Sequence, residues 1–134
     1  MTLVDSNVLL DMVTDDPTWS RWSIAQMEAA SLRGRLLIND VIYAELSVRY
    51  RAIEDLDRML MSARTDLQPI PRAALFLAGK AFLRYRSRGG SRTGVLPDFF
   101  IGAHAVVARH TLLTRDTRRY CDYFPALELI APPV

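Results

Sequence analysis

Leu96-Pro97-Asp98-Phe99-Phe100-Ile101-Gly102-Ala103-His104-Ala105-Val106-Val107-Ala108-Arg109-His110-Thr111-Leu112-Leu113-Thr114-Arg115-Asp116 is the stretch on which the fold turns. Pro97 suits the first turn of a helix, where no intrahelical bond needs its missing N–H. The helix is expected to run through Arg109. From Phe99 to Val107 it is apolar on every side except at His104, and a helix apolar all round belongs inside the protein. Thr111 to Thr114 then reads as a short apolar strand. A buried helix feeding a short apolar strand points to a sheet covered on both faces. Two acids bracket the pair: Asp98 at the helix start and Asp116 two residues beyond the strand.

The same alternation extends outward. Thr2 to Asp5 reads as a first strand. Asp16-Pro17 offers an N-cap carboxylate followed by an N1 proline, and Gly34 would close that helix as its C′ residue. Arg35 to Asn39, built on Leu36-Leu37-Ile38, reads as the second strand. Asn39 or Asp40 caps a helix to about Arg51, and Ile53, Leu56, Leu60 and Ala63 mark another at helical spacing. Leu67 to Ile70 is the expected third strand, interrupted by Pro69 and Pro71. A helix over Arg72 to Arg86, a flexible basic loop over Arg88 to Gly94 and a last strand over Leu127 to Ile130 complete the chain. Strands separated by helices predict an α/β fold with a parallel sheet. Ligands bind such sheets beyond the carboxyl ends of the strands, where the strand order reverses.

The 134 residues predict one domain over 1–134, large enough to bury a core without disulfides. Cys121 is the only cysteine, which excludes an internal disulfide and fits a reducing cytoplasm. No apolar run approaches the roughly 20 residues that span a bilayer. The first residues meet Asp5 without a basic or long apolar region, so no signal peptide is expected and the expected location is cytoplasmic, away from membranes. The net charge of +2 permits a polyanionic partner without demanding one. Every basic residue but Lys80 is arginine, a bias that suits phosphate but follows equally from codon usage.

Glu45 is the most telling of the acids. On its helix Val41, Ile42, Leu46, Val48 and Ala52 form the apolar face, and Glu45 falls between Val41 and Ile42. A charge facing a core is costly unless paired or bound to metal. Singly, Asp5 and Asp98 could serve as helix caps, Asp116 as a turn residue and Glu45 as half of a buried ion pair. Together, Asp5, Asp98 and Asp116 gather at strand ends and helix starts on the expected ligand side. Carboxylates converging to about 4 Å repel by about 4 kcal/mol at an effective dielectric of 20, so they require protons or cations. An all-oxygen cluster selects hard ions, Mg²⁺ or Mn²⁺.

Four segments then look familiar. Leu3-Val4-Asp5-Ser6-Asn7-Val8-Leu9-Leu10-Asp11, Ile42-Tyr43-Ala44-Glu45-Leu46, Leu96 to Ala105 and Leu112-Leu113-Thr114-Arg115-Asp116 resemble, in order and spacing, the motifs of PIN domains. The third is particularly similar to VapC-type toxins. The resemblance covers Leu3 to near Ile130. It implies a three-layer α/β/α sandwich around a five-stranded parallel sheet, and Asp5, Glu45, Asp98 and Asp116 as catalytic metal ligands for Mg²⁺, with Mn²⁺ as a substitute. It implies Ser6, Asn7 and Thr114 as polar residues that hold ligands or water. It further implies hydrolysis of single-stranded or looped RNA, a homodimer, and silencing by a cognate antitoxin whose tail covers the site.

Around these, Arg115, Arg118 and Arg119 beside the fourth acid, and Arg86, Arg88 and Arg92 near the glycine-rich loop, are candidate phosphate contacts. His104 lies six residues after Asp98, about 120° around the helix, and is read as structural rather than as a general base. His110 reads as a surface residue, and Asp11, Asp15 and Asp16 as solvated or capping charges. Trp19 and Trp22 read as packing residues or a partner contact, and part of the wide apolar face of the Arg72–Arg86 helix, Leu75, Ala78, Phe82 and Tyr85 with Phe76 and Leu83 beside it, as a dimer surface. An aspartate-nucleophile phosphatase is disfavoured because Asn7 stands two residues after Asp5 and no suitable lysine follows. An RNA-processing nuclease without a toxin role and a non-catalytic RNA-binding module are the remaining alternatives.

Overall fold

A computed structural model describes residues 1–92 and 94–133. Thr93, within the expected basic loop, and Val134, the last residue of the expected domain, lie outside the described residues. The elements in order are β1 (Thr2–Val4), α1 (Ser6–Val13), α2 (Ser20–Ser31), β2 (Leu36–Ile38), α3 (Asp40–Ser47), α4 (Ile53–Ser62), β3 (Thr65–Leu67), α5 (Arg72–Ser87), α6 (Leu96–Ala108), β4 (Thr111–Leu113), α7 (Arg118–Tyr123) and β5 (Leu129–Ile130). All strand pairs are parallel and the sheet order is β3-β2-β1-β4-β5. Helices flank it as outer layers: α2 packs on β1 and β2 with α1 against it, and α6 packs beside β4 with α5 against it. This is the three-layer α/β/α sandwich with a five-stranded parallel sheet that the resemblance implies.

The order locates the place where a ligand would sit. From β1 the chain builds outward through β2 and β3, then returns to the other side of β1 with β4 and β5. The reversal falls between β1 and β4, paired Thr2 to Thr111, Leu3 to Leu112 and Val4 to Leu113. Asp5 and Thr114 are therefore the next residues out, and the Asp5 N–H donates to the Leu113 carbonyl at 2.9 Å. Leu3, Val4, Leu37, Ile38, Leu112 and Leu113 are almost wholly buried, which rules out any role for these strands as a solvated face.

Several boundaries differ from expectation, each for a local reason. The third strand is Thr65–Leu67, not Leu67–Ile70, because the prolines at 69 and 71 cannot donate to a ladder. The Asp16 carboxylate accepts from the Thr18 and Trp19 N–H groups, but this turns the chain, and α2 begins only at Ser20. That helix ends at Ser31, so Gly34 lies beyond its cap. The helix after β2 stops at Ser47 and leaves Val48 exposed, off the expected apolar face. The six-residue α7 was not expected at all.

Two polar readings also need correction. Asp11 is not solvated: it is buried, accepts from Ser23 Oγ at 2.8 Å, and receives Arg115 through Nε at 2.6 Å and Nη2 at 2.9 Å. His110 is not a surface residue but is buried, with Nε2 2.6 Å from Gln68 Oε1. His104, wholly buried, bonds the same oxygen through Nε2 at 3.0 Å, while the Asn39 amide stands 3.1 Å from its Nδ1. With Nδ1 accepting from Asn39 and both Nε2–H groups donating to Gln68, each of these contacts pairs a donor with an acceptor. Burial, then the neighbouring His110, lowers the His104 pKa to about 4, so the ring is neutral as the network requires.

Candidate active site

Beyond the carboxyl ends of β1 and β4, Asp5 is buried and each of its oxygens is bonded. Its Oδ1 caps α1 by accepting from the Ser6 N–H at 2.8 Å, and Oδ2 accepts from Thr114 Oγ1 at 2.8 Å and from the Tyr120 hydroxyl at 3.1 Å. Thr114 is a junction: its hydroxyl also accepts from the Asp116 N–H at 3.1 Å and from the Asn7 amide at 3.4 Å. The Asn7 carbonyl oxygen accepts in turn from the Arg115 N–H at 3.2 Å. Glu45, half-buried on α3, accepts from Ser6 Oγ at 3.0 Å. Asp98, in the first turn of α6, pairs with the Arg119 guanidinium from α7.

The four acids share one electrostatic neighbourhood. Burial raises the Asp5 pKa, against the hydrogen bonds from Thr114 and Tyr120, and Asp116 adds to the rise. Burial likewise raises Glu45, with Asp5 and Asp98 contributing. Asp98 is pushed up to about 6, first by burial and then by Asp5, even with Arg119 beside it. Burial and the surrounding carboxylates hold the Tyr120 hydroxyl well above its ordinary value, so it stays a donor to Asp5. Tyr120 carries no local pattern in the sequence, because α7 is only six residues long and the hydroxyl meets Asp5 across 115 positions.

Among the described residues, no three histidine, cysteine, aspartate or glutamate side chains are gathered tightly enough to enclose one ion. Arg119 draws Asp98 aside and Ser6 holds Glu45. The chemistry of the donor set nevertheless fits a hard divalent cation. Every acid offers only oxygen, three of the four are destabilised as anions by burial and by one another, and a dication would relieve that.

The candidate phosphate contacts divide. Arg115 is committed to Asp11 by two bonds, and its guanidinium lies over the Trp19 ring, 5.1 Å from the centroid. Arg86, Arg88, Arg92 and Arg118 are exposed, with Arg88 over the Tyr123 ring. Arg92, Arg118 and Arg119 line a cleft of about 410 Å³ together with Tyr85, Tyr123, Asp122 and Asp116, so of the four acids the cleft reaches Asp116.

Residues 2–123 match the PIN domain. Among solved structures, the chain is similar to VapBC2 from Rickettsia felis bound to a promoter DNA fragment, at 17% identity and a TM-score of 0.73, covering 97% of each chain. It is also similar to a toxin–antitoxin complex from Klebsiella pneumoniae, at 21% identity and a TM-score of 0.70, covering 97% of this chain and 96% of that one. FitAcB from Neisseria gonorrhoeae follows at 17% and 0.69, with the same coverage. No curated protein sequence matches the chain.

Proposed function

Because the chain belongs to the PIN-domain family, we propose that it is a divalent-metal-dependent endoribonuclease, one nuclease domain over residues 1–134, acting as the toxin of a toxin–antitoxin pair. The observation that carries this reading is the gathering of Asp5, Glu45, Asp98 and Asp116 around the β1–β4 reversal with their charges incompletely balanced. In this reading the four acids hold Mg²⁺, or Mn²⁺ in its place, directly or through water. The ion, when bound, supplies an activated water and charge neutralisation at a phosphodiester. Ser6 positions Glu45, and Thr114, Asn7 and Tyr120 fix Asp5 and the loop that carries Asp116.

The toxin role and the antitoxin partner are carried over from what the structurally similar complexes are described as. Two surfaces suit the expected partners. Phe76, Leu83 and Leu75 stand exposed on the outer face of α5, which favours a homodimer. The hollow bounded by Met12, Ile24, Met27, Leu36 and Ala63 offers apolar lining for an antitoxin helix. The test is induced expression with mapping of RNA ends, Asp5→Asn serving as control. Growth arrest and discrete new RNA ends with the wild-type chain alone are the expected result. New ends without growth arrest would favour an RNA-processing nuclease, and no new ends would end the nuclease reading.

A further inference from the structure

Arg119 occupies an unusual position: it belongs to two surfaces at once. It lines the cleft with Arg92 and Arg118, and it reaches through to pair with Asp98 among the acids. Its side chain is about a quarter exposed, so neither partner encloses it. The cleft wall carries three guanidinium groups against the carboxylates of Asp116 and Asp122, and Asp116 stands where the cleft meets the acid pocket. Arg115, the other arginine near that boundary, is tied to Asp11 and has no such freedom.

We propose that Arg119 exchanges partners: it is the counter-ion of Asp98 while no cation is bound, and it turns into the cleft to hold an RNA phosphate once a cation takes Asp98. This rests on the metal-site reading given above. A guanidinium on Asp98 and a dication on Asp98 compete for the same oxygens and repel one another, so binding the cation frees the arginine. A phosphate in the cleft gives the freed guanidinium a bidentate partner within the same side chain's reach. Cation and RNA then assist one another through one residue, and by linkage each raises affinity for the other. Arg118, exposed on the same helix, makes no salt bridge among the described residues and contributes to RNA binding alone.

The exchange separates two affinities that a merely structural arginine would move together. Mn²⁺ binding to the purified chain is measured by calorimetry, and binding of a short single-stranded phosphorothioate RNA by fluorescence anisotropy with Mn²⁺ present. Arg119→Gln should bind Mn²⁺ about fivefold more tightly and the RNA about tenfold more weakly; Arg119→Lys, which keeps the charge without the fork, should fall between. Arg118→Gln should weaken RNA binding and leave Mn²⁺ binding unchanged. Circular dichroism confirms that each variant is folded. Arg119→Gln binding Mn²⁺ no more tightly than wild type overturns the exchange, as does unchanged RNA affinity. Wild type that binds no Mn²⁺ is a different failure, since it removes the metal site on which the exchange depends.

Discussion

Two buried polar groups of similar size lie within this sheet-and-helix frame, and they are opposites. In the Asn39–His104–Gln68–His110 network no buried side-chain polar atom among the described residues lacks a partner, and burial favours the neutral form of both rings. In the acid pocket hydrogen bonds are also made, yet among the described residues four carboxylates face a single paired guanidinium, and burial works against the charge of Asp5, Glu45 and Asp98. The first is complete by itself and stabilises a fold. The second is complete only with something added. Burial and hydrogen bonding are common to both; the charge balance tells them apart.

The contrast breaks most visibly at Asp98. Asp98→Asn keeps the volume and removes a ligand charge, so RNA cleavage should fall on the order of 10³-fold while the circular dichroism spectrum is unchanged. Full activity in that variant would remove Asp98 from the site. Tyr120→Phe deletes one donor to Asp5 and no charge. Loss of such a supporting bond should weaken Mn²⁺ binding by about 10–100-fold, measured by calorimetry, with little change in melting temperature. An unchanged affinity would make Tyr120 a packing residue only.

His104→Leu should act in the opposite sense. It strands the Asn39 amide and takes one donor from Gln68, costing about 1–3 kcal/mol in urea unfolding at neutral pH, while cleavage per folded molecule stays at the wild-type level. The smallest effect is a pair of opposite pH trends in metal-free protein. Asp98 moves from 3.8 up to about 6 on folding, so its charge penalty is absent below about pH 4 and complete above about pH 6. Asp98→Asn should match wild type near pH 4 and exceed it by roughly 1–2 kcal/mol near pH 7. His104 moves from 6.5 down to about 4, so what it contributes is full above pH 6.5 and lost as pH falls through about 4. The deficit of His104→Leu should therefore shrink on acidification. Parallel trends in the two variants would erase the distinction between the two groups.

Much of this was legible in the chain because the acids stand at positions that local pattern marks. Asp5 and Asp116 follow apolar strands, Asp98 opens an apolar helix, and Glu45 interrupts an apolar face. What stayed hidden depends on contacts between distant residues. The Asp11–Arg115 pair spans 104 positions, and neither residue breaks a local rule. His110 reads as a surface residue until the fold sets it against Gln68, 42 positions away. Tyr120 sits on a helix too short, and too flanked by arginine, for periodicity to announce it. The outward creep of β3 in the expectation came from counting apolar residues and not backbone donors.

The bond between Thr114 and Asp5 closes over 109 positions. The two halves of the pocket thus come from segments far apart in sequence, and β1 has no β4 beside it until the intervening segments have been made. Contacts so far apart in sequence are slow to form, because the loop between them must be ordered first. During synthesis Asp5 emerges early and waits, without Thr114 or Tyr120. A chain that has not yet reached β4 and α7 therefore holds no assembled acid pocket, and whatever chemistry the pocket performs waits on those segments.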